Sequence, residues 1–109
     1  MINAVLSPLA KSDMQVIGDY ISQSLHNPSA VRQLILRFRE VITSLQRSPE
    51  MGTPLLSEQA DHIPYRNVIC GNYMVFYHFS LETVYVDRVL YGRRDYMALL
   101  FGNLISEEE

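Results

Sequence analysis

The fold is decided by residues 65–101, which read YRNVICGNYMVFYHFSLETVYVDRVLYGRRDYMALLF. Apolar and polar residues alternate along this stretch, which is the pattern of β-strands with one face against a core. A tight turn is indicated at Gly71-Asn72, between the first two apolar segments. The pattern predicts three strands, over residues 65–70, 73–79 and 84–91.

The predicted middle strand, residues 73–79, is apolar on both of its faces. One face carries Tyr73, Val75, Tyr77 and Phe79, and the other carries Met74, Phe76 and His78. Successive side chains of a strand point to opposite sides, so two apolar faces indicate a strand that is covered on both sides. We therefore expect this strand at the centre of a sheet.

Upstream of the strands, the sequence predicts a short strand over residues 2–6 and then two helices. Ser7-Pro8 and Asn27-Pro28 are typical helix starts, with a capping side chain followed by proline. Apolar residues then recur at three- and four-residue spacing, from Ala10 to Leu25 in the first helix and from Val31 to Leu45 in the second, and Pro49 ends the second helix. The short connection between the helices predicts an antiparallel hairpin that covers the sheet. A long loop, residues 49–64, follows it.

Gly92 interrupts the last strand, and a short helix is predicted over residues 93–101, ended by Gly102. The predicted fold is α+β with the order β-α-α-β-β-β-α: an antiparallel sheet packed by a helical hairpin and a short C-terminal helix. We expect a single domain over residues 1–109, with an acidic tail at residues 106–109.

The charge of the chain is close to balanced outside this tail. The formal net charge is −3, and the tail glutamates Glu107, Glu108 and Glu109 account for it. Lys11 is the only lysine among nine basic residues, and arginine favours specific bidentate contacts with carboxylate or phosphate. No apolar run is long enough for a membrane span and no signal peptide is recognised, so together with the single Cys70 we expect a cytoplasmic protein.

Arginines gather where the last strand meets the predicted final helix. Arg88, Arg93 and Arg94 lie at this junction, and their expected partners are phosphate, carboxylate or an acidic segment of another protein. The remaining arginines of the second helix are interpreted as solvated surface residues: Arg32, Arg37, Arg39 and Arg47.

Three strings, in this order and spacing, are similar to the RelE/ParE superfamily, the toxins of bacterial type II toxin–antitoxin modules (plasmid stabilisation systems). They are NPSAVRQLILRFREVITSLQRSPEMG at 27–52, YRNVICGNYMVFYHF at 65–79 and RVLYGRRDYMALL at 88–100. The resemblance covers nearly the whole chain and implies the RelE/ParE fold and growth inhibition.

The resemblance implies one of two mechanisms. RelE-type members cleave messenger RNA on the ribosome with a set of residues of which this chain keeps Arg94, whereas Met74 and Leu100 stand at the other two positions. Methionine cannot hold a phosphate, and leucine cannot move a proton. ParE-type members instead poison DNA gyrase through a protein contact without catalysis. We therefore favour ParE-like inhibition of gyrase.

A ribosome-dependent endoribonuclease with a different active site is the alternative. Its catalytic residues would be Arg66 and Arg94 as phosphate ligands, with His78 or Tyr96 moving protons. His78 is also interpreted as a partly buried packing residue, because it alternates with Phe76 and Met74. A third hypothesis is a non-toxic α+β interaction module.

The resemblance also implies a cognate antitoxin, whose acidic tail would wrap around the toxin in a hetero-oligomer. The residues proposed for binding antitoxin or target are Arg66, Arg88, Arg93, Arg94, Tyr96 and Phe101. The larger partners would be DNA gyrase or, in the alternative, the ribosome and messenger RNA. No cofactor and no metal site are expected, because three scattered histidines and one cysteine do not form a ligand cluster.

Overall fold

The computed structural model describes residues 1–55 and 64–92, which form one sheet and a helical hairpin packed on it. The hairpin helices are α1 (Pro8–Asp19) and α2 (Pro28–Arg47). The strands are β1 (Asn3–Leu6), β2 (Thr53–Pro54), β3 (Arg66–Cys70), β4 (Tyr73–Phe79) and β5 (Thr83–Tyr91). The predicted helix over residues 93–101 lies outside the described residues.

The five strands are arranged in the order β1-β5-β4-β3-β2. β3, β4 and β5 pair in the antiparallel direction, as predicted. β2 also pairs antiparallel with β3, and β1 adds to β5 in the parallel direction. The predicted α+β class is therefore confirmed, with a parallel edge pair added. The two-residue strand β2 lies inside the segment predicted as loop. It was not predicted, because two residues are too few to show a periodic pattern.

β4 is the central strand that its two apolar faces predicted. Val75, Phe76 and Tyr77, which alternate between the faces, are all fully buried. Towards the hairpin, Val75 and Tyr77 pack in a core with Phe38 and Leu45 of α2. The buried centre of the sheet thus lies where the sequence placed it.

Both helices begin at the predicted capping residues. The Ser7 side chain accepts a hydrogen bond from Ala10 N–H, and the Asn27 side chain accepts one from Ala30 N–H. Each N-cap satisfies an amide that has no partner inside its own helix. Ser7 Oγ also donates to the Asp87 carbonyl, which fixes the start of α1 against β5.

The end of the first helix differs from the prediction. The sequence pattern extends one helix to Leu25, but α1 ends at Asp19 and the chain continues as a π-helical turn, Tyr20–Ser24. The Leu25 amide bonds to the Tyr20 carbonyl, which is a five-residue step. His26 follows in the left-handed region with φ of 51°, and its turn leads directly into α2.

The ladder between β4 and β5 contains a bulge. Phe76 pairs with Arg88, whereas the next residue, Tyr77, pairs with Val86. Asp87 is therefore an extra residue on β5 without a directly opposed partner on β4. A bulge of this kind bends the strand and redirects side chains, and it sits here beside the residues described next.

Candidate functional site

Arg66 anchors the segment that follows α2. Its Nη1 donates hydrogen bonds to the Glu50 carbonyl at 3.1 Å and the Gly52 carbonyl at 2.8 Å. The guanidinium carbon lies 5.9 Å from the centre of the Phe79 ring, within the range of a cation–π contact. In this structure Arg66 therefore holds the backbone at residues 49–52 to the sheet.

Tyr77 completes this anchor from the neighbouring strand. Its hydroxyl donates to the Pro49 carbonyl at 2.6 Å and accepts from the Gly52 amide at 2.9 Å. Burial raises the pKa of the Tyr77 hydroxyl, while the Gly52 amide and the charge of Arg66 act in the opposite direction. Together Arg66 and Tyr77 satisfy four backbone groups of one short turn: the carbonyls of Pro49, Glu50 and Gly52 and the amide of Gly52.

His78 is hydrogen-bonded to the bulge residue, Asp87. Its Nδ1 lies 2.6 Å from Asp87 Oδ2, and the two side chains are 29% and 22% exposed. The His78 ring stacks on Tyr85 with centroids 4.8 Å apart and meets the edge of Tyr65 at 5.8 Å. A histidine held through Nδ1 by a carboxylate presents Nε2 for proton transfer, so the pair is chemically able to act as an acid or base.

The surroundings of this pair change the pKa of the Asp87 carboxyl and of the nearby Tyr65 hydroxyl. Burial raises the pKa of the Asp87 carboxyl, and the hydrogen bond from His78 opposes that effect. Burial, together with the Asp87 charge, also raises the pKa of the Tyr65 hydroxyl.

The structure does not bring Arg66 and His78 together. Arg66 is paired directly opposite Tyr77 and packs with Phe79, on the face that the hairpin covers. His78 is the neighbour of Tyr77 along β4, so its side chain leaves the opposite face of the sheet. The two residues therefore cannot bind one phosphate from these positions.

Arg88 is bound within the molecule. Its Nε and Nη2 donate to the two carboxylate oxygens of Asp13 at 2.8 and 2.9 Å, and the Val89 amide donates to the same carboxylate. The hydrogen bond to Asp13 raises the pKa of Arg88. This partly buried pair joins α1 to β5 beyond the end of β1. Arg88 thus has an intramolecular partner that the sequence did not identify.

The other predicted site residues lie outside the described residues: Arg93, Arg94, Tyr96 and Phe101. The partners Asp13 and Asp87 were missed. Asp13 is separated from Arg88 by 75 positions, and no short-range pattern joins them. The positions of Arg66 and His78 had a signal, because a two-residue turn at Gly71-Asn72 sets the β3–β4 register and with it the faces of both side chains.

A cleft lies at the other end of the molecule, between the hairpin and the β3–β4 turn. Its volume is about 640 Å³. Apolar side chains from three elements line it, including Ile21 of the π-helical turn, Leu34 of α2 and Tyr73 of β4. The exposed Leu25 and Leu36 form part of its rim. The cleft can accommodate apolar side chains of a partner.

The described residues lack two kinds of feature, a metal site and a membrane-spanning helix. Residues 1–55 and 64–92 contain no group of three or more histidine, cysteine, aspartate or glutamate side chains placed to hold a metal ion. Over the same ranges, neither helix combines the length and the apolar character that a membrane span requires.

Comparison with known proteins identifies the family. Residues 4–96 match the model of the ParE toxin of type II toxin–antitoxin system, parDE. The chain belongs to the ParE toxin family. The resemblance drawn from residues 27–52, 65–79 and 88–100 is thereby confirmed, and the ParE branch is the one that matches. The match includes His78 and Arg88 and ends before Phe101.

A solved structure supports the ParE fold of this chain. It is a chain from the chromosomal ParDE TA system of P. aeruginosa, with a TM-score of 0.65 and 15% identity. The similarity covers 84% of this ParE-family chain and 96% of that chain. At this identity the likeness concerns the fold alone. No curated protein sequence matches the chain.

Proposed function

We propose that this chain is a growth-inhibiting toxin that poisons DNA gyrase through a protein contact and is held inactive by a cognate antitoxin. Membership of the ParE family supports the toxin function. The ParDE system to which the P. aeruginosa chain belongs supports an antitoxin partner. The protein would act in the cytoplasm as a single domain, in a hetero-oligomer with the antitoxin while at rest.

The separation of Arg66 from His78 is the observation that favours gyrase over RNA cleavage. RNA cleavage needs a proton acceptor and a cation on the same phosphodiester. Arg66 lies on the hairpin face of the sheet and binds backbone carbonyls, while His78 lies on the other face beside a carboxylate. Arg88 is neutralised by Asp13. Among the described residues, no arginine is bonded to or stacked on His78.

Ribosome-dependent RNA cleavage is the second candidate, and one observation favours it. The 2.6 Å contact between His78 Nδ1 and Asp87 fixes the ring so that Nε2 can exchange a proton. The cation that binds the phosphate would then have to be Arg94, as predicted from the sequence, with Tyr96 as a second proton-transfer group. In this candidate His78 is indispensable, whereas gyrase poisoning does not require it.

The two candidates separate in a pulse-labelling experiment. Thymidine and methionine incorporation are followed in the first minutes after the chain is induced without antitoxin, for the natural sequence and for His78→Ala. Gyrase poisoning predicts an early fall in thymidine incorporation that His78→Ala retains. Cleavage predicts an early fall in methionine incorporation that His78→Ala abolishes. Unchanged growth with a folded, soluble chain would contradict both candidates and favour the non-toxic module.

The contact residues proposed from the sequence can be tested with the same readout. Arg93, Arg94, Tyr96 and Phe101 are proposed to contact target or antitoxin, and alanine at these positions is expected to reduce thymidine arrest or neutralisation. A matched control is Arg47→Ala, an exposed arginine at the end of α2. Equal toxicity and equal neutralisation in all variants would contradict this assignment.

A further inference from the structure

The outer side of α2 carries an apolar stripe framed by arginines. Arg32, Ile35, Leu36 and Arg39 follow one another at intervals of three, one and three residues, so they share one side of the helix. We call these four residues the α2 outer stripe. All four are exposed, with Ile35 at 39% and Leu36 at 58%. The core-facing residues of α2, among them Phe38 and Leu45, lie on another side.

The arginines of this stripe have no partner within the described residues. Neither Arg32 nor Arg39 has a hydrogen bond or ion pair with any residue in the described parts of the chain, in contrast to Arg66 and Arg88. α2 contains four arginines and a single acidic residue, Glu40, which gives the helix a net charge of +3 in a chain whose formal charge is −3. The positive charge is thus concentrated on an exposed helix.

The stripe is continuous with the cleft. Leu36 belongs to both, because it also lines the cleft whose inner wall includes Leu34 and Tyr73. The π-helical turn and the left-handed His26 lie at the same end of the hairpin. Non-glycine residues with left-handed backbone are uncommon in proteins as a whole, and those that occur are often found at ligand-binding sites. Apolar surface therefore extends from the exposed stripe into a concave site.

We propose that the α2 outer stripe is the docking surface for an acidic amphipathic helix of a partner protein. Apolar side chains of the partner pack on Ile35 and Leu36 and extend towards the cleft, and carboxylates at matching spacing pair with Arg32 and Arg39. Two aliphatic residues between the arginines favour a protein over nucleic acid, because a phosphate backbone gains nothing from them. This proposal rests on the proposed function and names the surface that binds the antitoxin's acidic segment.

The surface differs from the one that the sequence indicated. Arg66 and Arg88 were proposed for antitoxin binding, while Arg32 and Arg39 were interpreted as solvated residues. Arg66 and Arg88 instead hold internal contacts, whereas Arg32 and Arg39 on α2 have no partner within residues 1–55 and 64–92. An acidic segment that binds Arg32 and Arg39 gains ion pairs without breaking any that the fold uses.

The test measures binding of a synthetic probe to the full chain by fluorescence anisotropy. The probe is an amphipathic helical peptide of about five turns with leucines on one side and glutamates three or four positions from them, flanking the leucines on that same side. Its uncharged twin carries glutamine in place of glutamate. Binding is expected for the acidic peptide, weaker by about tenfold or more for the twin, and weaker at high salt.

Variants locate the site. R32E/R39E is expected to weaken binding of the acidic peptide by about tenfold or more, and Leu36→Gln tests the apolar part independently. Arg47→Glu is the matched control, an exposed arginine of the same helix outside the stripe. Circular dichroism checks that each variant is folded. No peptide binding, an equal loss in Arg47→Glu, or tighter binding to a DNA duplex that R32E/R39E weakens would each overturn the proposal.

Failure of this proposal is distinguishable from failure of the proposed function. If R32E/R39E remains toxic and the antitoxin still neutralises it, the docking surface is wrong and the toxin function stands. If the natural chain is not toxic without antitoxin, the proposed function is wrong, and the peptide measurement still decides whether the stripe binds acidic helices.

Discussion

Asp87 and Arg88 are adjacent in the bulge of β5, and each binds a side chain of a different element. Asp87 binds His78 of β4, and Arg88 binds Asp13 of α1. Strict alternation along a strand sends neighbouring side chains to opposite faces. The extra residue in the ladder breaks this alternation, so that the neighbouring side chains of Asp87 and Arg88 can make separate contacts from one face. Through these two consecutive residues, the bulge therefore connects α1 of the helical hairpin to His78 of β4.

Arg88→Ala is expected to destabilise the protein by about 2–3 kcal/mol, because it leaves the partly buried Asp13 carboxylate without its cation. The stability of Arg88→Lys is expected to lie between that of the natural protein and that of Arg88→Ala, because an ammonium group keeps the charge but not the two-pronged geometry. The measurement is the free energy of unfolding in urea. The control is Arg39→Ala, an exposed arginine expected to change stability by no more than about 0.5 kcal/mol. Equal effects at both positions would contradict the structural role of the Arg88–Asp13 pair.

The raised pKa of Asp87 predicts a pH dependence of stability. The folded state keeps the Asp87 proton at pH values where the unfolded chain, with an ordinary value of 3.8, has released it. The contribution of the Asp87 proton to the free energy of unfolding is therefore fully present below about pH 3.8, and it is lost as pH rises through the raised pKa of the folded state.

Asp87→Asn removes this titration and isolates it. The free energy of unfolding of the natural protein minus that of Asp87→Asn is expected to fall as pH rises from below the ordinary aspartate value towards neutrality. Urea unfolding at several pH values measures it. Glu82→Gln, at an exposed carboxylate, is the control. A difference that stays constant or increases with pH would show that the pKa of Asp87 is not raised in the folded protein.

Local patterns predicted most of the secondary structure of the described residues. The capping pairs Ser7-Pro8 and Asn27-Pro28 marked both helix starts, and the alternation in residues 73–79 marked the buried strand. The parallel pairing of β1 with β5 was not predictable in the same way. It joins segments about eighty positions apart, such as Asn3 and Thr83, and periodicity does not encode a strand's neighbour.

The candidate site was predicted less well, because its geometry depends on tertiary contacts. Arg66 and His78 were grouped by residue type, although the β3–β4 register assigns them to opposite faces. The partner of Arg88 could not be found, because Asp13 lies on a helix whose position relative to β5 follows from packing. The types of side chain were visible in the sequence, but the intramolecular partners that bind them in the folded protein were not.

Gly52 is expected to tolerate no side chain. A Cβ at this position would lie 2.9 Å from the Asn67 carbonyl oxygen and closer still to the Tyr77 hydroxyl. Gly52→Ala should therefore destabilise the protein by more than about 2 kcal/mol, because the backbone of β3 cannot yield as a side chain can. Urea unfolding measures it. Gly18→Ala is the control, since its new methyl group would meet only Val31 at 3.7 Å. Similar losses at the two glycines would contradict the close packing at Gly52.

Tyr77→Phe is expected to cost about 1–3 kcal/mol, because the buried Gly52 amide and the Pro49 carbonyl both lose their partner. Tyr85→Phe, at a more exposed ring, is the matched control with a smaller expected loss. The effect should be local as well as global: amide hydrogen exchange at Gly52 should accelerate in Tyr77→Phe beyond what the change in global stability explains. Unchanged protection of the Gly52 amide would show that Tyr77 does not hold residues 49–52 to the sheet.

Cys70 offers a test of the core itself. The thiol is 2% exposed at the end of β3, and burial raises its pKa although the charge of Arg37 acts in the opposite direction. Both properties lower the amount of reactive thiolate at neutral pH. In the folded protein, the reaction with an aromatic disulfide reagent should be at least about tenfold slower than in urea, where the same thiol is solvated. Because the chain has one cysteine, the signal has a single source. Equal rates in the two conditions would mean that the β3 end of the core opens freely, and the burial of Cys70 in the core that contains Phe38 of α2 would then be wrong.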